Sequence, residues 1–277
     1  MGTDKRERQK ANRAKALEAR ARRERMDKIR RRGIKFGIGI PVVVIALFAL
    51  ARTTSDDSGA NDIVDTTAIS STPETTPGDE ITGATPCPKT DGSEKRVTTF
   101  EQAPPMCIEN GKSYTATFDT SEGTIVVDLD TDKTPKTVNN FIVLSRYKYY
   151  DGSYIFRTDP SLDIIQGGGQ DNTDGPGYVI EDEGNQFTYS AGDLVMARSS
   201  GPNSGGGQFF FVTGPNAKVL DYREGDPASQ GTYVTFGKVT EGLDVTQAIL
   251  ALNEGEGNLG GAPSRPVQIR TVTITEK

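Results

Sequence analysis

Residues 155–169 read IFRTDPSLDIIQGGG, and the reading of this stretch decides the fold. It sets Arg157 directly after Phe156, runs through a short apolar segment, and ends in Gln166 followed by three glycines. A guanidinium flanked this way is expensive to bury unless its five donors meet acceptors. Glycines let a backbone turn sharply or approach something closely, at an entropic cost. Taken alone, the stretch also fits a surface strand with a flexible hairpin. A second stretch, Gln208 to Val212 (QFFFV), again places a glutamine beside aromatics, and the pair favours one shared site.

Outward from these two stretches, the whole chain has 277 residues, enough for one or two domains, with 31 glycines and no tryptophan. It contains no histidine, which excludes Ser-His-Asp and Cys-His chemistry and any zinc site that needs imidazole. A hydrolase reading built on Ser199 or Ser200 falls on the same ground. The net charge of −6 conceals an asymmetry: residues 1–32 carry 14 Lys+Arg against 5 Asp+Glu, a net of +9, so the remainder carries −15. That acidic remainder is a poor partner for nucleic acid, and none is expected.

The chain divides by composition. Residues 1–32 form a basic segment that reads as a polar helix when supported, with anionic lipid headgroups favoured over RNA as its contact. Residues 33–51 (GIKFGIGIPVVVIALFALA) hold one charge, Lys35, near an end where it can reach the interface. They are long enough for a single transmembrane anchor. Arg30, Arg31 and Arg32 just before it predict a cytoplasmic N-terminus and an extracytoplasmic remainder, at the cell membrane. Ala49-Leu50-Ala51 resembles a cleavage site, so a removed signal peptide is the alternative. Residues 52–85, rich in Thr, Ser, Asp, Pro and Gly, are expected to be a disordered tether. Residues 86–111 are a lead-in bracketed by Cys87 and Cys107. Outside the cytoplasm these two are expected to form a disulfide, two free thiols being the alternative.

From 112 to 277 the pattern is that of a compact domain. Tyr114, Ala116 and Phe118, then Ile125, Val127 and Leu129 after Gly123, alternate as a β-hairpin. Thr134-Pro135 predicts a helix start, with Thr134 as N-cap and Pro135 at the first helical position. Strands are expected at Tyr178–Ile180, Asp193–Ala197, Gln208–Thr213, Tyr233–Val239 and Val267–Thr275, and a short helix at Thr246–Leu252. Gly167–Gly169 and Gly205–Gly207 read as tight turns in loops that bring Gln166 and Gln208 into position. Many short strands, two helices and Gly/Pro turns predict a mainly β fold with a closed or nearly closed antiparallel sheet.

The ordered pieces of this domain resemble the cyclophilin family of peptidyl-prolyl cis-trans isomerases. They are TPKTVNNF at 134–141, YDG at 150–152 leading to Phe156-Arg157, IQGG at 165–168, GPGY at 175–178, EDE at 181–183, GPN at 201–203, GQFF at 207–210, Leu220-Asp221 and FGKV at 236–239. The resemblance implies an eight-stranded barrel capped by two helices. It implies Arg157 as the catalytic residue and Gln166, Gln208, Phe210, Leu162, Ile164, Leu220 and Tyr233 as the substrate-binding set. Proline-containing polypeptides are the implied partners, with no cofactor or metal. The chain departs from the family pattern in six places, two of them Leu162 where a phenylalanine is usual and an inserted residue near Arg198-Ser199-Ser200. Arg157 lacks the preceding histidine, Tyr233 replaces another histidine, and Val219 replaces a tryptophan. One extra residue, Asp163, enters between Arg157 and Gln166, where it is expected to reshape the pocket floor. The expected function is isomerisation of X-Pro bonds in exported or cell-envelope proteins. The alternative is a peptide-binding or chaperone module that keeps the groove and catalyses poorly.

Overall fold

The computed structural model describes residues 77–199, 201–225, 231–255 and 260–277. The basic segment 1–32, the anchor 33–51 and most of the tether, 52–76, lie outside the described residues. Among the described residues no helix is long and apolar enough to cross a membrane.

The alternating hairpin forms as expected: β3 (Tyr114–Thr120) pairs in full antiparallel register with β4 (Gly123–Leu129). Its inward residues Ala116, Phe118, Ile125 and Val127 are buried. Around it β5 (Ser153–Asp159), β6 (Ile164–Gly169), β7 (Asp193–Arg198), β8 (Gly205–Val212), β9 (Thr235–Glu241) and β12 (Val267–Glu276) complete a closed eight-stranded antiparallel barrel. The strand order is β12-β3-β4-β9-β7-β8-β6-β5, and β5 pairs back to β12. Closure leaves no unpaired sheet edge. Short pieces lie outside it: β1 (Asp79–Ile81) parallel to β2 (Val97–Phe100), and β10 (Asn253–Glu254) antiparallel to β11 (Ala262–Pro263).

The two-residue period of β8 sorts its side chains between two clusters. Phe209 and Phe211 join the main core with Phe118, Phe141 and Phe236, whereas Phe210 and Val212 join a second cluster on the other face. Leu194 and Met196 of β7 belong to the main core, and Val195 and Ala197 to the second. The second cluster underlies the candidate site.

Helix α1 (Pro135–Arg146) closes one end of the barrel through Phe141, whose ring lies 5.9 Å from Phe118, 5.3 Å from Phe236 and 5.1 Å from Tyr150. Thr134 is the N-cap residue and Pro135 follows it, as expected, but the Thr134 hydroxyl does not cap. It donates to the Asp130 carbonyl instead. The cap comes from Glu183, 46 residues on, whose carboxylate accepts from Lys136 N (3.1 Å), Thr137 N (2.9 Å) and Thr137 Oγ1 (3.1 Å). A carboxylate there also complements the positive end of the helix dipole. Helix α2 (Leu243–Leu250) begins three residues earlier than expected, after Gly242 at φ +86°. Between Tyr178 and Ile180 there is no strand. A single bridge joins Ile180 to Gly205, because this segment leaves the barrel wall to lie over it.

Cys87 and Cys107 are disulfide-bonded. The lead-in they bracket is packed onto the domain: Val97 and Phe100 join the main core, and Asn139 on α1 accepts from Cys107 N and donates to the Pro105 carbonyl. This covering explains why α1 is buried from Thr137 to Arg146 instead of along one stripe. The expected tether runs too far on its C-terminal side, since Asp79–Ile81 is already paired and Thr85 is buried.

Candidate active site

A groove of about 990 Å³ crosses the face of β5, β6 and β8 that carries the second cluster. What turns Arg157 onto that face is a bulge. Ile155 pairs with Gly167 and Arg157 with Gln166, so Phe156 is an extra residue on β5. Without it the two-residue period would send Arg157 the same way as Ile155, into the main core. With it, Arg157 lies across from Gln166 and both line the groove.

A polar chain runs along the groove floor. Arg157 Nη1 donates to Gln166 Oε1 (2.8 Å), Gln166 Nε2 donates to Gln208 Oε1 (2.9 Å), and Gln208 Nε2 donates to the Asp174 carbonyl (2.7 Å). At the other end Arg157 Nη2 meets Asp159 Oδ2 at 2.8 Å. Each amide passes the same orientation to the next, so the row is polarised from the guanidinium to the loop at 171–174.

The glycines set the spacing of this row, though from within strands. Gly167–Gly169 belong to β6 and Gly205–Gly207 to β8, and neither triplet is the loop that was expected. A Cβ on Gly168, at φ +95°, would stand 2.7 Å from the Gly207 carbonyl oxygen. One on Gly207 would stand 2.8 Å from the Tyr149 ring. A side chain at Gly168 would hold the backbones of β6 and β8 apart, and with them Gln166 and Gln208, whereas one at Gly207 would collide with Tyr149.

Beside Arg157 the groove is apolar. Phe210 and Ile164 are buried in the second cluster, with Leu162, Leu220 and Tyr233 packed against it. All five line the groove. Tyr233 stands edge-on to Phe210 at 5.8 Å, and its other neighbour is the Arg198 guanidinium, 4.7 Å from the ring centroid. Arg198 is itself held by Asp182 (2.7 Å) and the Thr232 hydroxyl (2.6 Å). Behind it the buried Tyr189 hydroxyl donates to the Tyr233 carbonyl and accepts from its N–H, both at 2.9 Å. Burial, the leading cause, pushes that phenol well above its ordinary value. Val219, by contrast, points to solvent.

The extra residue Asp163 is a latch and not part of the pocket floor. At φ +50° it takes the left-handed conformation that closes the turn between β5 and β6. Its carbonyl accepts from Thr213 N (2.8 Å), and its carboxylate accepts from Asn216 N (2.7 Å). It thereby ties the turn to the 3₁₀ helix Pro215–Leu220 that supplies Leu220. Every residue assigned to the site is brought together here. Sequence reasoning missed Asp159, Arg198 and Tyr189. The Arg-Thr-Asp spacing of 157–159 was the one available signal, since residues two apart on a strand share a face.

The family model for the cyclophilin type peptidyl-prolyl cis-trans isomerase matches residues 115–274. Peptidyl-prolyl cis-trans isomerase cyp18 of Streptomyces antibioticus is 35% identical over 167 residues, 58% of this chain and 98% of that protein. Peptidyl-prolyl cis-trans isomerase B of Escherichia coli is 31% identical over 167 residues, 58% of this chain and 99% of that protein. Its namesake in Bacillus subtilis is 40% identical over 124 residues, 43% of this chain and 78% of that protein. With the family model spanning more than half of its length and bacterial relatives covered almost end to end, this chain belongs to the cyclophilin-type peptidyl-prolyl cis-trans isomerases.

Proposed function

We propose that this isomerase works outside the cytoplasm, held at the membrane by residues 33–51, on X-Pro bonds of exported or cell-envelope polypeptides, with Arg157 as its catalytic residue. The observation that carries the catalytic assignment is the Arg157–Gln166–Gln208 row lying against the Phe210 pocket. Support for the location comes from the apolar run 33–51, the arginines before it, and a disulfide of the kind that persists in oxidising compartments.

Rotation about an X-Pro bond meets a barrier of roughly 18–20 kcal/mol because the C–N resonance must be lost. As the bond twists, the prolyl nitrogen pyramidalises and gains a lone pair. A guanidinium donating to that nitrogen stabilises the twisted state more than either planar one, which is what lowers the barrier. Phe210, Leu162, Ile164, Leu220 and Tyr233 form the cup for the proline ring. Burial there also disfavours the charge-separated resonance form of the planar amide. Gln166 and Gln208 present amide groups to the peptide backbone without adding charge.

The test is isomerisation of a short X-Pro peptide by the wild type and by Arg157→Ala. The variant should lose about 10²–10³-fold in kcat with KM little changed, the magnitude for removing one transition-state donor. Full turnover in Arg157→Ala, or peptide binding without turnover in the wild type, would overturn the catalytic assignment. Membrane fractionation with protease added from outside tests the location. A soluble protein, or a domain protected from the protease, would overturn that part.

A further inference from the structure

Among the described residues Arg157 donates to Gln166 and to a buried carboxylate. Asp159 Oδ2 accepts from Arg157 Nη2 at 2.8 Å, while Asp159 Oδ1 accepts from Ser161 N (3.1 Å) and Ser161 Oγ (2.6 Å). Asp159 is 4% exposed. Part of its cover is Gly260, where a Cβ would stand 2.8 Å from Asp159 Cβ and 2.9 Å from Cγ. Gly261 then bridges to Thr158, with N–H to carbonyl distances of 3.0 and 2.8 Å in the two directions. A chain segment leading into β11 is thus laid over the end of β5, with glycine where it crosses the carboxylate.

Burying a carboxylate is costly unless its oxygens are satisfied and its charge is met. Here the bonds divide by oxygen: one fixes the turn that follows β5, and the other fixes the guanidinium. Gln166 takes the Nη1 side and Asp159 the Nη2 side, so the plane of the guanidinium is set by acceptors on two strands. An arginine side chain is rich in rotamers, and one contact leaves much of that freedom in place. We propose that Asp159 is a positioning residue for the isomerisation: its carboxylate presets the plane and reach of the Arg157 guanidinium toward the prolyl nitrogen. This rests on the assignment of Arg157 as the catalytic group.

The experiment is a double-mutant cycle in peptide isomerisation, with the fold of each variant checked by circular dichroism. Asp159→Ala should lower kcat by about 10²-fold, the scale of a small misplacement of a reacting group, with KM within about twofold. Asp159→Asn, nearly isosteric, keeps an acceptor and loses the charge. It should fall in between and supplies the readout where the alanine variant does not fold. Because both residues act through one guanidinium, Arg157→Ala/Asp159→Ala should be no slower than Arg157→Ala alone. Either of two results overturns the role of Asp159: folded Asp159 variants with wild-type kcat, or losses that multiply in the double variant. If Arg157→Ala itself turns over normally, the catalytic assignment fails instead, and the two failures are told apart.

Discussion

At the scale of single residues, the charged groups around the groove are tied to fixed partners. Arg157 is bonded to Asp159 and Gln166, and Arg198 to Asp182 and Thr232. Burial pushes the Asp159 carboxyl upward, but the hydrogen bonds from Ser161 and Arg157 outweigh it and hold the group below its ordinary 3.8. A carboxylate depressed in the folded state keeps its pairing above that value and loses it only as pH falls below. The chain has no histidine and both cysteines are disulfide-bonded, so no side chain with an ordinary pKa between about 5 and 8 is present. Isomerisation by the wild type should therefore be flat from about pH 5 to 8 and decline only below 3.8. A pH–rate profile with a midpoint between 5 and 8 would contradict this. Arg157, Gln166 and Gln208 stood out in the sequence because an arginine among apolar residues and glutamines beside glycines and aromatics are uncommon pairings, and the resemblance to the family implied their roles and that of Phe210. Asp159 was not, since an Arg and an Asp two apart are ordinary on any solvated strand.

At the scale of elements, hydrogen bonds from distant parts of the chain complete what local signals began. The start of α1 is marked by Thr134-Pro135, yet its orphan N–H groups are satisfied by Glu183 from a segment that also borders the groove. Glu183→Ala should destabilise the domain by about 1–2 kcal/mol, as loss of a cap does, and Glu183→Gln by less because it keeps an acceptor. Urea midpoints with an unchanged slope would register this, and equal losses for both variants would count against capping by the charge. The bulge at Phe156 and the close approach of β6 to β8 belong to the same scale. Alternation predicts which residues share a face, but one inserted residue reverses the faces beyond it. Glycine triplets signal a backbone freedom without saying whether it serves a turn or a close contact. Here it serves the contact at Gly168 and Gly207.

At the scale of the whole molecule, the family match begins at residue 115, one residue into β3, and the described residues 77–113 are additions to the barrel. The lead-in places Phe100 in the main core and bonds Phe100 N to the Pro176 carbonyl (2.7 Å) on the groove loop. Its one covalent tie joins Cys87 to Cys107, a separation of 20 residues. Replacing both cysteines by serine should lower stability by about 3 kcal/mol on the chain-entropy account. Turnover per folded molecule should persist, because neither sulfur lines the groove. Equilibrium unfolding with and without reductant checks the first statement, and the peptide assay checks the second. An unchanged unfolding midpoint would mean that packing of Val97 and Phe100 alone retains the lead-in.

Legible in the chain alone were the mainly β fold, its hairpin and helices and the cysteine pair, while the groove-lining residues were implied by the resemblance to the family. These follow from period, composition and ordered motifs, which are local properties of a chain. Only the tertiary structure decided which way Arg157 faces, that Asp163 latches a turn to the 3₁₀ helix, and that Glu183 caps a helix 46 residues before it. It alone revealed the buried Asp159 against the guanidinium, covered by Gly260 about 100 residues further along the chain. The physical reason is the same in each case. A bulge, a latch, a cap and an ion pair are defined by partners that closure of the barrel brings together, and sequence spacing carries no record of that meeting.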